Sequence, residues 1–152
     1  MTHAGMVHAL RQVHRLLKPD GILLDLRPAV KHRQVGLGER KRWTVVARMR
    51  EDLTDDRAAN RALKRAAALG LFQPESNREF ELDRVMDTLD DFREWLSDFP
   101  SGRLDPEDDR LYRRVERALA KVRPGTRIVA RGPLNLVVLR KLEGGPAPAS
   151  KE

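Results

Sequence analysis

HRLLKPDGILLDLRP, residues 14–28, joins the end of a helix, a tight turn and an apolar strand. Its first residues close an amphipathic segment over 3–17, where Met6, Val7, Leu10, Val13, Leu16 and Leu17 recur at helical spacing. Pro19-Asp20-Gly21 cannot continue a helix and turns the chain. Ile22, Leu23, Leu24 and Leu26 then form a nearly continuous apolar run, broken by Asp25 and ended by Arg27-Pro28. Such a run predicts a strand buried on both faces, as in a parallel sheet.

Working outward, residues 29–41 read as a polar, basic loop loosened by Gly36 and Gly38, and 43–49 as a strand rich in β-branched residues. A helix is expected over 54–69, with Thr54 as cap, Asp55 and Asp56 in its first turn and Gly70 as its stop. A strand near 78–86 places Phe80, Leu82, Arg84 and Met86 on one alternating face. Helix 88–98 carries Leu89, Phe92, Trp95, Leu96 and Phe99 behind a Thr88 cap, and Pro100-Ser101-Gly102 breaks the chain. Helix 106–122 begins with the Asp105 cap and Pro106, and its stripe is Leu111, Val115, Leu119 and Val122. Two strands, 126–130 and 134–142, are expected to form an antiparallel hairpin through Arg131-Gly132-Pro133. The reading gives one domain over 1–142 and a flexible tail over 143–152.

The chain has 152 residues, a net charge of +7 and no cysteine, which rules out disulfides, thiolate metal sites and cysteine nucleophiles. No apolar run is long enough to span a membrane and no secretory segment opens the chain, so a cytoplasmic protein is expected. The charge falls in blocks: 11 Lys/Arg against 3 Asp/Glu over 1–50, 9 against 17 over 51–110, and 10 against 3 over 111–152. Blocks of this kind can neutralise one another within a fold or across a subunit interface. With 5% aromatic residues and no basic segment interleaved with stacking side chains, direct nucleic-acid binding is disfavoured.

Segment 9–28, ALRQVHRLLKPDGILLDLRP, resembles the late part of Rossmann-like (class I) S-adenosylmethionine-dependent methyltransferases. There a helix ends in a leucine-lysine-proline-glycine-glycine turn and leads into the fifth strand. Here the turn is Leu17-Lys18-Pro19-Asp20-Gly21, with Asp20 at the first glycine position. Residues 56–72, 78–96 and 127–142 are similar to the alanine-rich helix, the strand and helix, and the closing pair of such proteins. The resemblance implies an α/β fold: a partial methyltransferase sheet of three layers or fewer, with mixed strands and a C-terminal antiparallel hairpin. The family's cofactor site needs a glycine-rich loop after the first strand and an acid at the end of the second. Gly36-Leu37-Gly38 and Gly144-Gly145 lack that strand-turn-helix frame, so no cofactor residue can be assigned.

The functional expectation is therefore a methyltransferase-like fragment or subunit, inactive alone. It would bind S-adenosylmethionine only if another chain supplied the missing N-terminal half. The alternative is a non-enzymatic α/β protein stabilised as a homodimer, because a half-sheet leaves an unpaired edge and two-fold symmetry can match opposite charge blocks. Asp25 and Arg27 are the candidate polar site residues. An acid near a strand end can face a ligand crevice, and pairing of Asp25 with Arg27 or with a basic residue of the loop 31–42 is the competing, structural role.

No catalytic set assembles. Ser76, Ser97, Ser101 and Ser150 stand in turn, helix or tail contexts rather than in a nucleophile elbow. His3 and His14 share a helix side while His8 and His32 do not join them, so no metal site is expected. Lys31, His32, Arg33, Arg40, Lys41 and Arg42 could meet phosphate or the chain's own acidic block. Asp87, Asp90, Asp91, Glu94 and Asp98 read as a helix face, Glu81 and Asp83 as a strand end, and Trp43 and Trp95 as packing anchors.

Overall fold

A computed structural model describes residues 3–39, 42–99 and 108–143. In chain order the elements are α1 (His3–Leu16), β1 (Ile22–Pro28), β2 (Gln34–Glu39), β3 (Arg42–Arg48), α2 (Thr54–Ala68), β4 (Phe72–Met86), α3 (Leu89–Ser97), α4 (Asp108–Leu119) and β5 (Ile128–Lys141). They divide into two compact units: residues 1–29, 54–79 and 134–152, and residues 30–53 and 80–133. The expected Asp105 cap, Pro106 start and 100–102 break lie outside the described residues, as does all of the tail beyond Glu143.

In the first unit β1 pairs antiparallel with β5, from Ile22 opposite Arg140 to Pro28 opposite Leu134. Helices α1 and α2 pack together. Leu10, Val13 and Leu17 meet Leu23, Leu63, Ala66, Phe72 and Leu139 in one apolar cluster. His14 belongs to this packing. Its Nε2 lies 3.0 Å from the Leu142 carbonyl oxygen, and its ring stands edge-on to Phe72 with centroids 5.5 Å apart. Helix α2 ends where expected. Gly70, at φ +70°, donates to Ala67 O, and Leu71 N–H reaches back to Ala66 O. These are the two bonds of a Schellman stop.

In the second unit β2 pairs antiparallel with both β3 and the first residues of β5. Val35, Leu37, Met49, Met86, Phe92, Val115, Ile128 and Ala130 form its core. Phe92 is fully buried, with Trp95 and Tyr112 rings 5.9 and 6.3 Å from its own. Helix α3 begins with a complete capping box: Asp91 N–H donates to Thr88 Oγ1 and Thr88 N–H donates to the Asp91 carboxylate.

The architecture corrects the sequence reading at its centre. All three strand pairs with a defined register are antiparallel, whereas a Rossmann-like core requires β1 to lie among parallel neighbours. β1 stands at the end of the strand order β1-β5-β2-β3, and β4 joins β5 outside that path. The methyltransferase resemblance is therefore wrong as an account of the fold. With it fall the partial Rossmann-like sheet, the fragment function, the enzyme ancestry and the S-adenosylmethionine cofactor. The expected hairpin is also absent. Residues 128–141 are one strand, and Gly132-Pro133 falls between the stretch that pairs with β2 and the stretch that pairs with β1. A proline without an N–H is tolerated where no ladder bond is due.

The basic loop expected over 29–41 contains the buried strand β2. Its glycines are close-packing positions rather than loose points. A Cβ on Gly36 would lie 2.4 Å from both Thr44 O and the Trp43 ring, and one on Gly38 would lie 2.3 Å from Arg42 O. The strand expected at 78–86 starts earlier, at Phe72, and its Phe80 and Leu82 are exposed.

Candidate functional site

The sequence reading singled out Asp25 and Arg27, and the structure brings them together within β1. Arg27 Nε lies 2.9 Å from Asp25 Oδ2. The separation suits an ion pair, yet the buried Oδ2 accepts no hydrogen bond, so the N–H is not aimed at it. Burial pushes the Asp25 carboxyl above its ordinary range, and the Arg27 charge pulls it partly back.

What the sequence reading missed is the direction of the alternation. β1 runs exposed, covered, exposed, covered along its length. The side chains of Asp25 and Arg27 are only 25% and 13% exposed, and they share the strand face of Leu23, which packs in the apolar cluster. Ile22, Leu24 and Leu26 point the other way and are 47%, 63% and 59% exposed. A solvated edge strand normally does the opposite, with apolar side chains in and polar ones out. Leu16, at the end of α1, is exposed as well. The signal was present in Leu24-Asp25-Leu26-Arg27, which alternates strictly. It was masked by the apolar run before it.

The strand also offers its backbone. Lys141 N–H donates to Gly21 O at 2.8 Å, so residue 21 faces β5. In an antiparallel ladder the facing alternates, and residues 23, 25 and 27 face β5 with it. The N–H and C=O groups of Ile22, Leu24 and Leu26 therefore point away from β5. Among the described residues β1 has no second strand neighbour.

Strand β4 is built differently. Its residues include Pro74, Glu75, Arg78, Glu79, Glu81, Asp83 and Arg84, the proline and charges that protect a strand from unwanted pairing. Several of these residues are also engaged: Glu75 binds Arg140 in the first unit, and Asp83 and Glu81 hold Arg131 in the second, at 2.7 and 3.3 Å. β1 has less of this protection: the Asp25–Arg27 pair lies on its covered face, and Pro28 stands at its very end.

Several of the remaining candidates make contacts within the chain, and Arg40, Lys41 and Ser101 lie outside the described residues. Glu51 is buried and receives the Arg33 backbone N–H at 3.0 Å and the Arg33 guanidinium. His32 Nδ1 accepts from Glu51 N–H at 3.3 Å. His8 lies against Gln12. Arg131 also stacks over Trp43, 4.4 Å from the ring centroid. Among the described residues, no three His, Asp or Glu side chains gather in a metal-binding group. An open concavity of about 530 Å³ in the second unit is lined by Leu37, Val46, Val122, Lys121 and Arg123 among others. No acid or histidine lines it. Among the described residues, no helix is long and apolar enough to cross a membrane.

The candidate site is thus an apolar, hydrogen-bonding strand edge. No family model, no curated protein and no solved structure matches this chain.

Proposed function

We propose that this chain is a cytoplasmic protein-interaction module whose β1 edge receives an extended strand from another polypeptide. The observation that carries the reading is the inverted alternation of β1, with Ile22, Leu24 and Leu26 exposed and Asp25 and Arg27 covered. Adding a strand would satisfy the outward N–H and C=O groups and cover the leucines at once, which is how β-augmentation combines affinity with side-chain recognition. The exposed Ile22, Leu24 and Leu26 support it further, because exposed apolar strands are otherwise selected against. A nucleic-acid partner is not part of the proposal: Arg27, Arg33, Arg131 and Arg140 already meet carboxylates, and phosphate binding would have to displace them.

The test is fluorescence anisotropy with labelled, ten-residue peptides that alternate apolar and charged residues. Binding is expected on the order of 10–100 µM, in keeping with an interface smaller than about 1,200 Å². Leu26→Lys should weaken it at least about tenfold, since an edge lysine opposes strand addition. Failure of every such peptide to bind, or binding indifferent to Leu26→Lys, would overturn the reading.

A further inference from the structure

The strand-acceptor reading can be carried to a specific partner. We infer that the strand received at the β1 edge is β1 of a second copy, paired antiparallel about a two-fold axis at Leu26. The inference rests on the open edge proposed above, and it adds the partner and the register.

Hydrogen-bond facing limits the registers. Only even-numbered residues of β1 direct their backbone groups outward. A two-fold pairing must therefore join even residues to even residues. Three arrangements use the body of the strand, and its charges separate them. Leu24 opposite Leu24 puts the covered Asp25 across from Leu23, leaving a carboxylate against an apolar side chain. Leu24 opposite Leu26 puts Asp25 across from Asp25 of the second copy, a repulsive pair at the closest cross-strand spacing. Leu26 opposite Leu26 puts Asp25 across from Arg27 of the second copy, and Arg27 across from its Asp25.

That third register is self-complementary in charge, as an isologous interface must be. Leu26 and its copy exchange both backbone bonds, and Leu24 N–H donates to Pro28 O of the second copy. Pro28 ends the strand, so its missing N–H costs the ladder only a terminal bond. The buried Asp25 Oδ2, which accepts no hydrogen bond within the chain, gains a second guanidinium across the seam. On the opposite face the exposed Leu26 side chain meets its copy, and Leu24 lies across from Pro28 of the second copy and diagonal to its Leu26.

The other open edge does not offer this. β3 begins and ends with arginine, so centred antiparallel self-pairing sets Arg42 against Arg48 of the copy. Strand β4 is guarded by its proline and charges. Among the described strands, β1 is the one whose own sequence complements itself.

Sedimentation equilibrium of the full chain from about 1 to 300 µM tests this, since a self-association must respond to concentration by mass action. The weight-average mass is expected to rise from the monomer toward the dimer. Leu26→Lys sets two lysines at the axis, and it should weaken association at least about tenfold. Asp25→Arg and Arg27→Asp should each do the same, because each sets like charges across the seam. An equimolar mixture of these last two variants should associate again, to within about threefold of the unmodified chain. In that mixture, unlike charges face each other at both crossings.

Circular dichroism establishes that the variants are folded. Leu26→Lys alters an exposed side chain and keeps the test decisive if either charge variant unfolds. Association that survives Leu26→Lys, or folded charge variants whose mixture stays monomeric, would overturn the proposed register. A chain that remains monomeric at the highest concentration yet still binds the alternating peptides would remove the second copy and leave the strand-acceptor reading standing.

Discussion

Asp91 shows how much one side chain can organise. It accepts the N–H groups of Thr88 and Asp87 at 3.0 and 3.2 Å, while its own N–H is taken by the Thr88 hydroxyl at 3.1 Å. The hydrogen bonds from Thr88 are the main reason its carboxyl is held below the usual range. A carboxyl depressed in the folded state contributes stability above its unfolded pKa and loses it as pH falls through the folded value. Thr88→Ala removes the cap and should cost about 1 kcal/mol at neutral pH. Urea unfolding of the wild type and this variant should show the difference shrinking as the solution is acidified, because the carboxylate half of the box is then lost in both. A difference that stayed constant to low pH would show that the box does not couple the two groups. Thr88 as a cap and Asp91 in the first turn were legible in the sequence, because capping depends on residues three apart in the chain. Asp25 is the contrasting case. Its residue type was noticed, but whether it faced a cleft, solvent or a helix depended on which side of β1 was covered.

At the scale of elements, local chemistry placed the helices well and the strands less well. α1 and α2 lie within a residue of where periodicity, cap residues and Gly70 put them. β2 was missed because its two glycines outweighed Val35 and Leu37 as a signal. The reason for a glycine at 36 is the Trp43 ring, which packs where a side chain would sit. No local rule shows that contact. Two alanine substitutions separate the two kinds of glycine. Gly70→Ala adds a methyl group to open space at φ +70° and should cost about 1 kcal/mol through backbone strain alone. Gly36→Ala forces Cβ to within 2.4 Å of backbone and ring atoms and should cost more, about 2–3 kcal/mol, as overpacking does. Chemical denaturation of the pair checks the order, and equal losses would contradict the tight packing at Gly36. The single strand β5 was divided in two for a similar reason: Gly132-Pro133 looks like a turn when it is read without its neighbours.

For the whole molecule, the decisive facts are the antiparallel pairing and the exposed face of β1. The second unit has a dense aromatic centre in Phe92, Trp95 and Tyr112. Phe92→Ala should cost about 3–5 kcal/mol, read from urea unfolding followed by tryptophan fluorescence, because Phe92 is fully buried in the core cluster and its removal leaves a cavity there. A loss below 1 kcal/mol would mean that this centre does not hold the unit together. The charge blocks also take on a definite meaning at this scale. Arg33 with Glu51, Arg131 with Asp83 and Arg140 with Glu75 each join residues far apart in sequence. Some of the opposite charges of these blocks therefore meet inside the chain, and the net charge of +7 is left unbalanced by them.

Residues close in the chain and residue type were enough for the helices, the Thr88 cap, the Gly70 stop and the absence of cysteine chemistry. Tertiary structure alone decided the direction of strand pairing, the burial of β2 and the side of β1 that is covered. A strand has the same apolar residues whether its neighbours run parallel or antiparallel, and only the neighbours settle which face meets a core. HRLLKPDGILLDLRP thus specified a helix, a turn and a strand. The fold then turned Leu24 and Leu26 outward and made an edge of what had read as a centre.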